Sequence, residues 1–505
     1  MQSNWSGPSP VLIYGRYHTT SVIFAHVLKV LLETHHDETA GFHFHLVLDD
    51  RRDQPVFASL LPPDRVTFHL QYADMDPYPR GDSSCGDEAV DRWESQYGNP
   101  HLRSYIVMER ALEGRPEETK WRFLFAHIEY FERLLKEIRP VLYVSGAADG
   151  LSPWVGMTVM QRNGVPVLSF SPARFEKRSY ILNNPFEVLG IGPAYREIRS
   201  RGLNPKERSH VEALVWEYRD KHLKPLDHLT VRSKHRRRSP LPNPVAAMRL
   251  FRESLTTDSG KFDLPLPAAV KRALRSRRTG AYRQWLQSKA VNCLPEGEKF
   301  FFFPLQYEPE ISLATQGRGW IRQLDLVEAI SLALPADRWL YVKEHPSMMM
   351  GIRPISFYKE LLALPHVRLL SQTIDSYQIV PKAEAVLTIT GTAGWEALMH
   401  RRPVVLFGHS FYEEFEEGVT KVNGIEALPA VLRGLRDKTV SDESLQAYVA
   451  AVLERAPEGI FIEPRAYSDV ADLVLSERNL LGIARVILSR LDDVREGEAC
   501  HRIQS

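Results

Sequence analysis

The chain has little cysteine and none of it in pairs. Cys85, Cys293 and Cys500 are the whole complement of 505 residues, odd in number, far apart and without a CxxC spacing. That pattern argues against a disulfide framework and against a cysteine-built zinc site, and a reducing compartment is the simplest setting for it. Long hydrophobic runs are also lacking. Val11-Leu12-Ile13-Tyr14, after a polar N-terminus, is too short for a membrane span or a signal-peptide core, so the expected location is cytoplasmic, with any membrane contact peripheral at the inner face of the cell membrane. Nor does charge of one sign dominate. Lys plus Arg number 64 against 63 Asp plus Glu, a net charge of +1, which gives no support to a globally basic nucleic-acid binder. Internal repeats, low-complexity tracts, a P-loop and a GxGxxG fingerprint are absent as well.

What is present is ordinary globular composition, 44% hydrophobic and 25% charged, on a length that suits two or three packed domains. Val11–Tyr14 and Phe42–Leu48 read as buried strands with a helix over Ser21–Leu32 between them. Residues 53 to 114, rich in Asp, Pro, Gly and Ser, predict loops and short elements. Trp121, Leu124, Ile128, Phe131, Leu135 and Ile138 recur at spacings of three and four, one face of a long helix that Pro140 stops. Val141–Val144, a helix over Pro153–Arg162 and a strand over Val165–Phe170 then give the alternation of a parallel βαβ unit.

A second unit opens near residue 299, with strands expected at Phe300–Leu305, Trp339–Val342, Val367–Leu370, Ala385–Thr390 and Pro403–Phe407. We therefore expect an α/β fold with four regions: an N-terminal Rossmann-like domain over 1–203, a helical basic insertion over 204–294, a C-terminal Rossmann-like domain over 295–430 and a helical region over 431–505. Two basic clusters in the insertion, Arg232 to Arg238 and Lys271 to Arg278, suit either contact with anionic lipid or plain solvated helix faces.

The strands of the second unit end in polar residues of the kind that hold a charged ligand. Gln306, Glu308 and Glu310 follow the first, Lys343-Glu344-His345-Pro346 the second, and Thr390-Gly391-Thr392 the fourth. Ligands of open parallel sheets lie outside the carboxyl ends of the strands. The Gly391 turn precedes a helix, so its amides would suit a phosphate; the alternative is a tight turn in which glycine permits close packing. Pro346 keeps His345 extended at the strand end, where an imidazole can donate to a phosphate. Glu396, further along that helix, can accept from a ribose diol or act as a cap.

Taken together, Gln306, Val342-Lys343-Glu344-His345-Pro346, Thr390-Gly391-Thr392-Ala393-Gly394-Trp395-Glu396 and Arg402-Pro403-Val404-Val405 resemble the bacterial capsule polysaccharide biosynthesis family. That family includes Kdo transferases and is similar to glycosyltransferases of the GT-B fold. The resemblance implies two Rossmann-like domains facing a cleft and a donor site in the second. His345, Gly391 and Thr392 would lie at the donor phosphate, with Gln306, Glu308, Lys343, Glu344, Pro346 and Thr390 around them and Glu396 at the ribose. It also implies a base in the first domain, for which Asp149 before Gly150 is the candidate, with Glu308 and Glu310 as substitutes; an Asp-Gly turn is the other reading of Asp149. Arg174 and Arg178 would meet an anionic acceptor or a sugar carboxylate.

The expected activity is transfer of Kdo or another acidic sugar from a nucleotide-sugar, CMP-linked rather than UDP-linked, to a glycan or glycolipid acceptor. No cofactor, no catalytic metal and no nucleic acid is expected. The alternatives are a nucleotide-sugar epimerase of the same fold and a non-catalytic, glycan-binding protein of capsule assembly and export.

Overall fold

The computed structural model describes residues 8–49, 51, 53–75, 87–98, 101–146, 150–173, 176–184, 187–188, 190–220, 282, 284–308, 311–317, 320, 322–346, 348, 353–462 and 471–503. Within them the chain forms two compact units, each built on its own sheet.

The first sheet has seven strands: β1 (Ser9–Gly15), β2 (Phe42–Leu48), β3 (Val66–Leu70), β4 (Leu142–Ser145), β5 (Val167–Pro172), β6 (Ser179–Asn184) and β7 (Glu187–Val188). Their order is β3-β2-β1-β4-β5-β6-β7, with β1 to β5 parallel and β6 and β7 added antiparallel at one edge. Val11, Leu12 and Ile13 of β1 all lie at 0% exposure, as a strand covered on both faces requires. The long helix expected before Pro140 spans Glu117–Ile138, and Arg139 closes it in the left-handed conformation at φ 52°, the usual helix C-cap geometry.

The second sheet is parallel throughout: β8 (Phe300–Pro304), β9 (Trp339–Lys343), β10 (Val367–Leu370), β11 (Ala385–Thr388), β12 (Val404–Leu406) and β13 (Val419–Lys421), in the order β10-β9-β8-β11-β12-β13. Renumbered from its own first strand this is 3-2-1-4-5-6, the Rossmann order. The two Rossmann-like α/β units expected of a GT-B-like chain are therefore both present.

The boundaries differ from those read in the sequence. The first unit takes the described residues up to 188 and those from 455 onward; the second takes those from 190 to 454. Packing explains each crossing. The helix Ile191–Arg201, placed in the first domain by the sequence reading, sets Tyr195 edge-on against Phe415 and Tyr448 of the second unit, with ring centroids 5.6 and 5.2 Å away. Its Gly192 N–H donates to the Glu414 carboxylate at 2.8 Å.

The helix Pro205–Asp220, read as part of an insertion, joins the second unit, where Arg219 donates to the Met399 carbonyl at 3.0 Å. The region 431–505 is not one body. Helix Asp442–Arg455 lies largely in the second unit, whereas Phe461 packs on Phe24 and Phe170 of the first, at 4.8 and 5.6 Å, beside the last helix, Glu477–Ile503. Both basic clusters, Arg232 to Arg238 and Lys271 to Arg278, lie outside the described residues. No helix among the described residues is long and apolar enough to cross a membrane.

Candidate functional site

In the second sheet the chain runs outward from β8 to β9 and β10 on one side, and from β11 to β12 and β13 on the other. The loops after β8 and β11 therefore diverge, which opens a crevice at the carboxyl ends of those two strands. Gln306 and Thr390 meet there: the Gln306 side-chain amide lies 2.9 Å from Thr390 Oγ1. With its oxygen turned to the loop, that amide also accepts the Gly391 N–H at 2.7 Å and the Thr390 N–H at 3.3 Å. This orientation satisfies donors and acceptors together.

Gly391 is the N-cap of the helix Thr392–Met399. Its N–H also lies 3.0 Å from Thr388 Oγ1, and its carbonyl accepts from the Tyr412 hydroxyl at 2.6 Å. Glycine is needed here for space rather than for torsion: φ is −70°, yet an added Cβ would stand 2.7 Å from Thr388 Oγ1 and 3.0 Å from the Gln306 side-chain amide. The Gly391 amide is thus held by protein acceptors. The amides of Thr392 and Ala393, at half-buried positions on the first turn, make no hydrogen bond within the described residues; these are the donors a helix start offers an anion. Both amides belong to the Gly391-Thr392-Ala393-Gly394 turn that the sequence offers to a phosphate. Glu396 is half-buried further along the same helix.

The Lys343-Glu344-His345-Pro346 run does not act as one group. Lys343 closes β9 and its Nζ donates to the Ile374 carbonyl at 2.6 Å. Glu344 is 3% exposed and faces inward. Its carboxylate accepts the His345 N–H at 2.6 Å and the Tyr358 hydroxyl, and Arg353 Nε lies 3.1 Å away. Burial pushes the Glu344 carboxyl above the ordinary glutamate value, against the pull of Arg353, Tyr358 and the His345 amide. His345 is half-buried, with its ring edge-on to Tyr307 at 6.0 Å. Burial, and after it the Arg353 charge, holds His345 below the ordinary histidine value, so at neutral pH it is a neutral imidazole with one N–H to donate. Pro346 follows it, and the Met348 N–H returns to the His345 carbonyl at 2.9 Å.

A buried frame holds these loops. Gln323, fully buried, accepts the Gln306 N–H at 2.7 Å and donates from Nε2 to the Gln306 carbonyl at 3.0 Å and to Glu308 Oε1 at 2.6 Å. Arg353, 2% exposed, donates to the Gln306 carbonyl at 2.9 Å and stands 3.6 Å from Glu308. Arg353 thereby ties the loop after β8 to the loop after β9, and Glu308 belongs to the same frame. Neither Gln323 nor Arg353 was found from the sequence.

Of the residues read in the first unit, Asp149 and Arg174 lie outside the described residues, as does Glu310 in the second. Arg178 is engaged within its own unit, 3.3 Å from Glu176 and donating to the Ala456 carbonyl at 2.8 Å.

Comparison with known proteins adds the following. Residues 268–455 match the family described as capsule polysaccharide biosynthesis protein. No curated protein matches the chain. Among solved structures, a Thermosulfurimonas dismutans KpsC beta Kdo 2,7 transferase is similar at 14% identity, covering 64% of this chain and 79% of that one, with a TM-score of 0.33. The UDP-GlcNAc 2-epimerase of Methanocaldococcus jannaschii is similar at 12% identity, 88% and 99% coverage and a TM-score of 0.25. The calicheamicin glycosyltransferase CalG4 is similar at 12% identity, 92% and 97% coverage and a TM-score of 0.27. The family match spans the loops that carry Gln306, His345 and Gly391, so it is over residues 268–455, the segment that holds the candidate site, that the chain is similar to the capsule polysaccharide biosynthesis protein family.

Proposed function

We propose that the protein is a glycosyltransferase that moves Kdo or another acidic sugar from a nucleotide-sugar, CMP-linked in preference to UDP-linked, to a glycan or glycolipid acceptor of capsule or surface polysaccharide. The observation that carries this reading is the junction of Gln306 with the Thr390-Gly391 turn at the switch point of the second sheet, inside the segment that matches the family. The open amides of Thr392 and Ala393 face the donor phosphate, His345 donates its N–H to it, and Glu396 accepts from the nucleotide ribose. Glu344, Glu308, Gln323 and Arg353 hold those loops without touching the donor.

In the reaction, an acceptor hydroxyl oxygen forms a bond to the anomeric carbon while the bond from that carbon to the phosphate oxygen breaks. Asp149 takes the hydroxyl proton, and the nucleotide leaves carrying the bonding pair. Donors already in place at the phosphate stabilise that developing charge without reorganising. Turnover that is unchanged by EDTA is expected, because the helix start and the side-chain donors supply this stabilisation.

His345→Ala tests the donor site. Loss of one hydrogen bond to a charged phosphate is expected to weaken nucleotide binding by about 1.5–3 kcal/mol while folding is retained. Titration calorimetry with CMP and with UDP reads the effect, and unchanged affinity for the nucleotide that binds would remove His345 from the site. Release of free nucleotide only when an acceptor is supplied identifies a transferase. Sugar isomerisation without acceptor would identify an epimerase instead, and a complete lack of nucleotide release would leave a binding protein.

A further inference from the structure

The first unit holds a cluster of imidazoles that the donor site does not use. β2 carries His43 and His45 two residues apart, and side chains two apart along a strand stand on the same face. The other face of β2 is apolar: Phe42, Phe44 and Leu46 are buried in the core. In the β2–β3 register His45 pairs with Thr67 and Val47 with His69, so His45 and His69 are diagonal neighbours across the strands. Their rings have moved into contact, with His45 Nδ1 3.0 Å from His69 Nε2 and centroids 5.3 Å apart. The His43 ring lies 5.1 Å from that of His45, and its Nε2 is 2.8 Å from Thr67 Oγ1. All three are half-buried.

Two imidazole nitrogens in contact share one proton, and the same arrangement can instead share a metal ion. Zinc binds imidazole at about 2.0–2.1 Å, and a near-tetrahedral angle at the metal then separates two nitrogens by roughly 3.2–3.4 Å. The separation found here is reached from that value by a small rotation of either ring. We propose that His45 and His69 chelate a divalent transition-metal ion of the zinc, nickel or copper(II) class, with His43 as the adjacent imidazole and water in the remaining positions. Among the described residues no group of three His, Cys, Asp or Glu already stands in ligand geometry, so His43 joins only by turning away from Thr67.

The chemistry of the pair suits a metal. Ligation needs neutral imidazole. Imidazole ligands favour zinc, nickel and copper over magnesium or calcium. β3 is the edge strand of its sheet, so an ion held between β2 and β3 ties the last strand to its neighbour, a stabilising role separate from sugar transfer.

The test is titration calorimetry on the full chain, stripped with EDTA and dialysed, with zinc chloride and separately with nickel chloride. One ion per chain is expected, together with a rise in the thermal midpoint on adding zinc. His45→Asn and His69→Gln should each weaken binding by roughly tenfold or more and abolish the thermal shift, while His43→Asn has a smaller effect. No saturable binding by the wild-type chain would overturn the proposal, as would binding that His45→Asn and His69→Gln both leave unchanged. If either variant fails to fold, amide hydrogen exchange of the wild type decides: peptides of β2 and β3 should slow on adding zinc, and identical exchange with and without zinc would also overturn it.

Discussion

Replacing Arg353 by Met should lower folding stability by about 3–5 kcal/mol at neutral pH, because it removes one partner of a buried ion pair and leaves the other charge in place. Arg353 and Glu344 are 2% and 3% exposed, so water cannot substitute for the lost guanidinium. The Gln306 carbonyl also loses its donor. Urea unfolding monitored by circular dichroism measures the change, and a loss comparable to that of a surface substitution would mean that Arg353 does not carry the frame.

The sign of its pH dependence follows from Glu344. In the folded chain this carboxyl already titrates above its unfolded value, because burial outweighs the charge and hydrogen bonds beside it. A folded value above the unfolded one gives a contribution that is fully present below the unfolded value and is lost as pH rises through the folded one. Without Arg353 the folded value moves higher still, so the deficit of Arg353→Met should be larger at pH 8 than at pH 5. Adding Glu344→Leu should recover part of the loss, since a buried pair removed together leaves no orphaned charge.

That frame marks the limit of what the sequence discloses. β1, β8, β9 and β11 announce themselves as short apolar runs because both of their faces are covered, and β2 by the alternation of Phe42 and Phe44 with His43 and His45. β3, with Thr67 and His69 alternating with Val66 and Phe68, sits at a sheet edge and lacks that signal. β6, whose Tyr180-Ile181-Leu182 run is only three residues long, and the two-residue β7 are added antiparallel and lack it as well.

The site divides in a similar way. Gln306, His345 and Gly391 can be found because strand ends are where a parallel sheet presents its ligands. Arg353 and Gln323 cannot, since they are 47 and 17 residues from Gln306 and lie in stretches without any diagnostic pattern. Adjacency in sequence also misleads. Lys343, Glu344 and His345 read as one polar patch, yet strand alternation turns Glu344 into the core, and the Lys343 amine is taken by a backbone carbonyl. The helix Ile191–Arg201 shows its apolar face plainly in Ile191, Ala194, Tyr195 and Ile198. Periodicity says that such a face is buried, not which unit buries it.

The largest effect expected on activity is that of Asp149→Asn. A base that takes the acceptor's proton only in the transition state should, once it can no longer accept one, lower turnover by roughly two to four orders of magnitude with little change in donor binding. Asn keeps the size of Asp and loses its proton affinity, so folding should be unaffected. In sequence Asp149 comes after β4, and β4 is next to β1 in the order β3-β2-β1-β4-β5; the carboxyl ends of strands at such a switch point are where parallel sheets take their ligands. Arg16, which follows β1, lies against Gly150 and pairs with Glu109 at 3.4 Å.

Of the two substitutes, Glu308 is the weaker, because its carboxylate accepts from Gln323 at 2.6 Å and stands 3.6 Å from Arg353, partners that hold it in the loop frame. Steady-state kinetics on Asp149→Asn, Glu308→Gln and Glu310→Gln in parallel separate the three. Collapse of turnover in Asp149→Asn, with its nucleotide affinity retained, assigns the base to the first unit. Near-normal turnover there, with collapse in Glu310→Gln, would move the base to the loop after β8 and make Asp149 a turn residue.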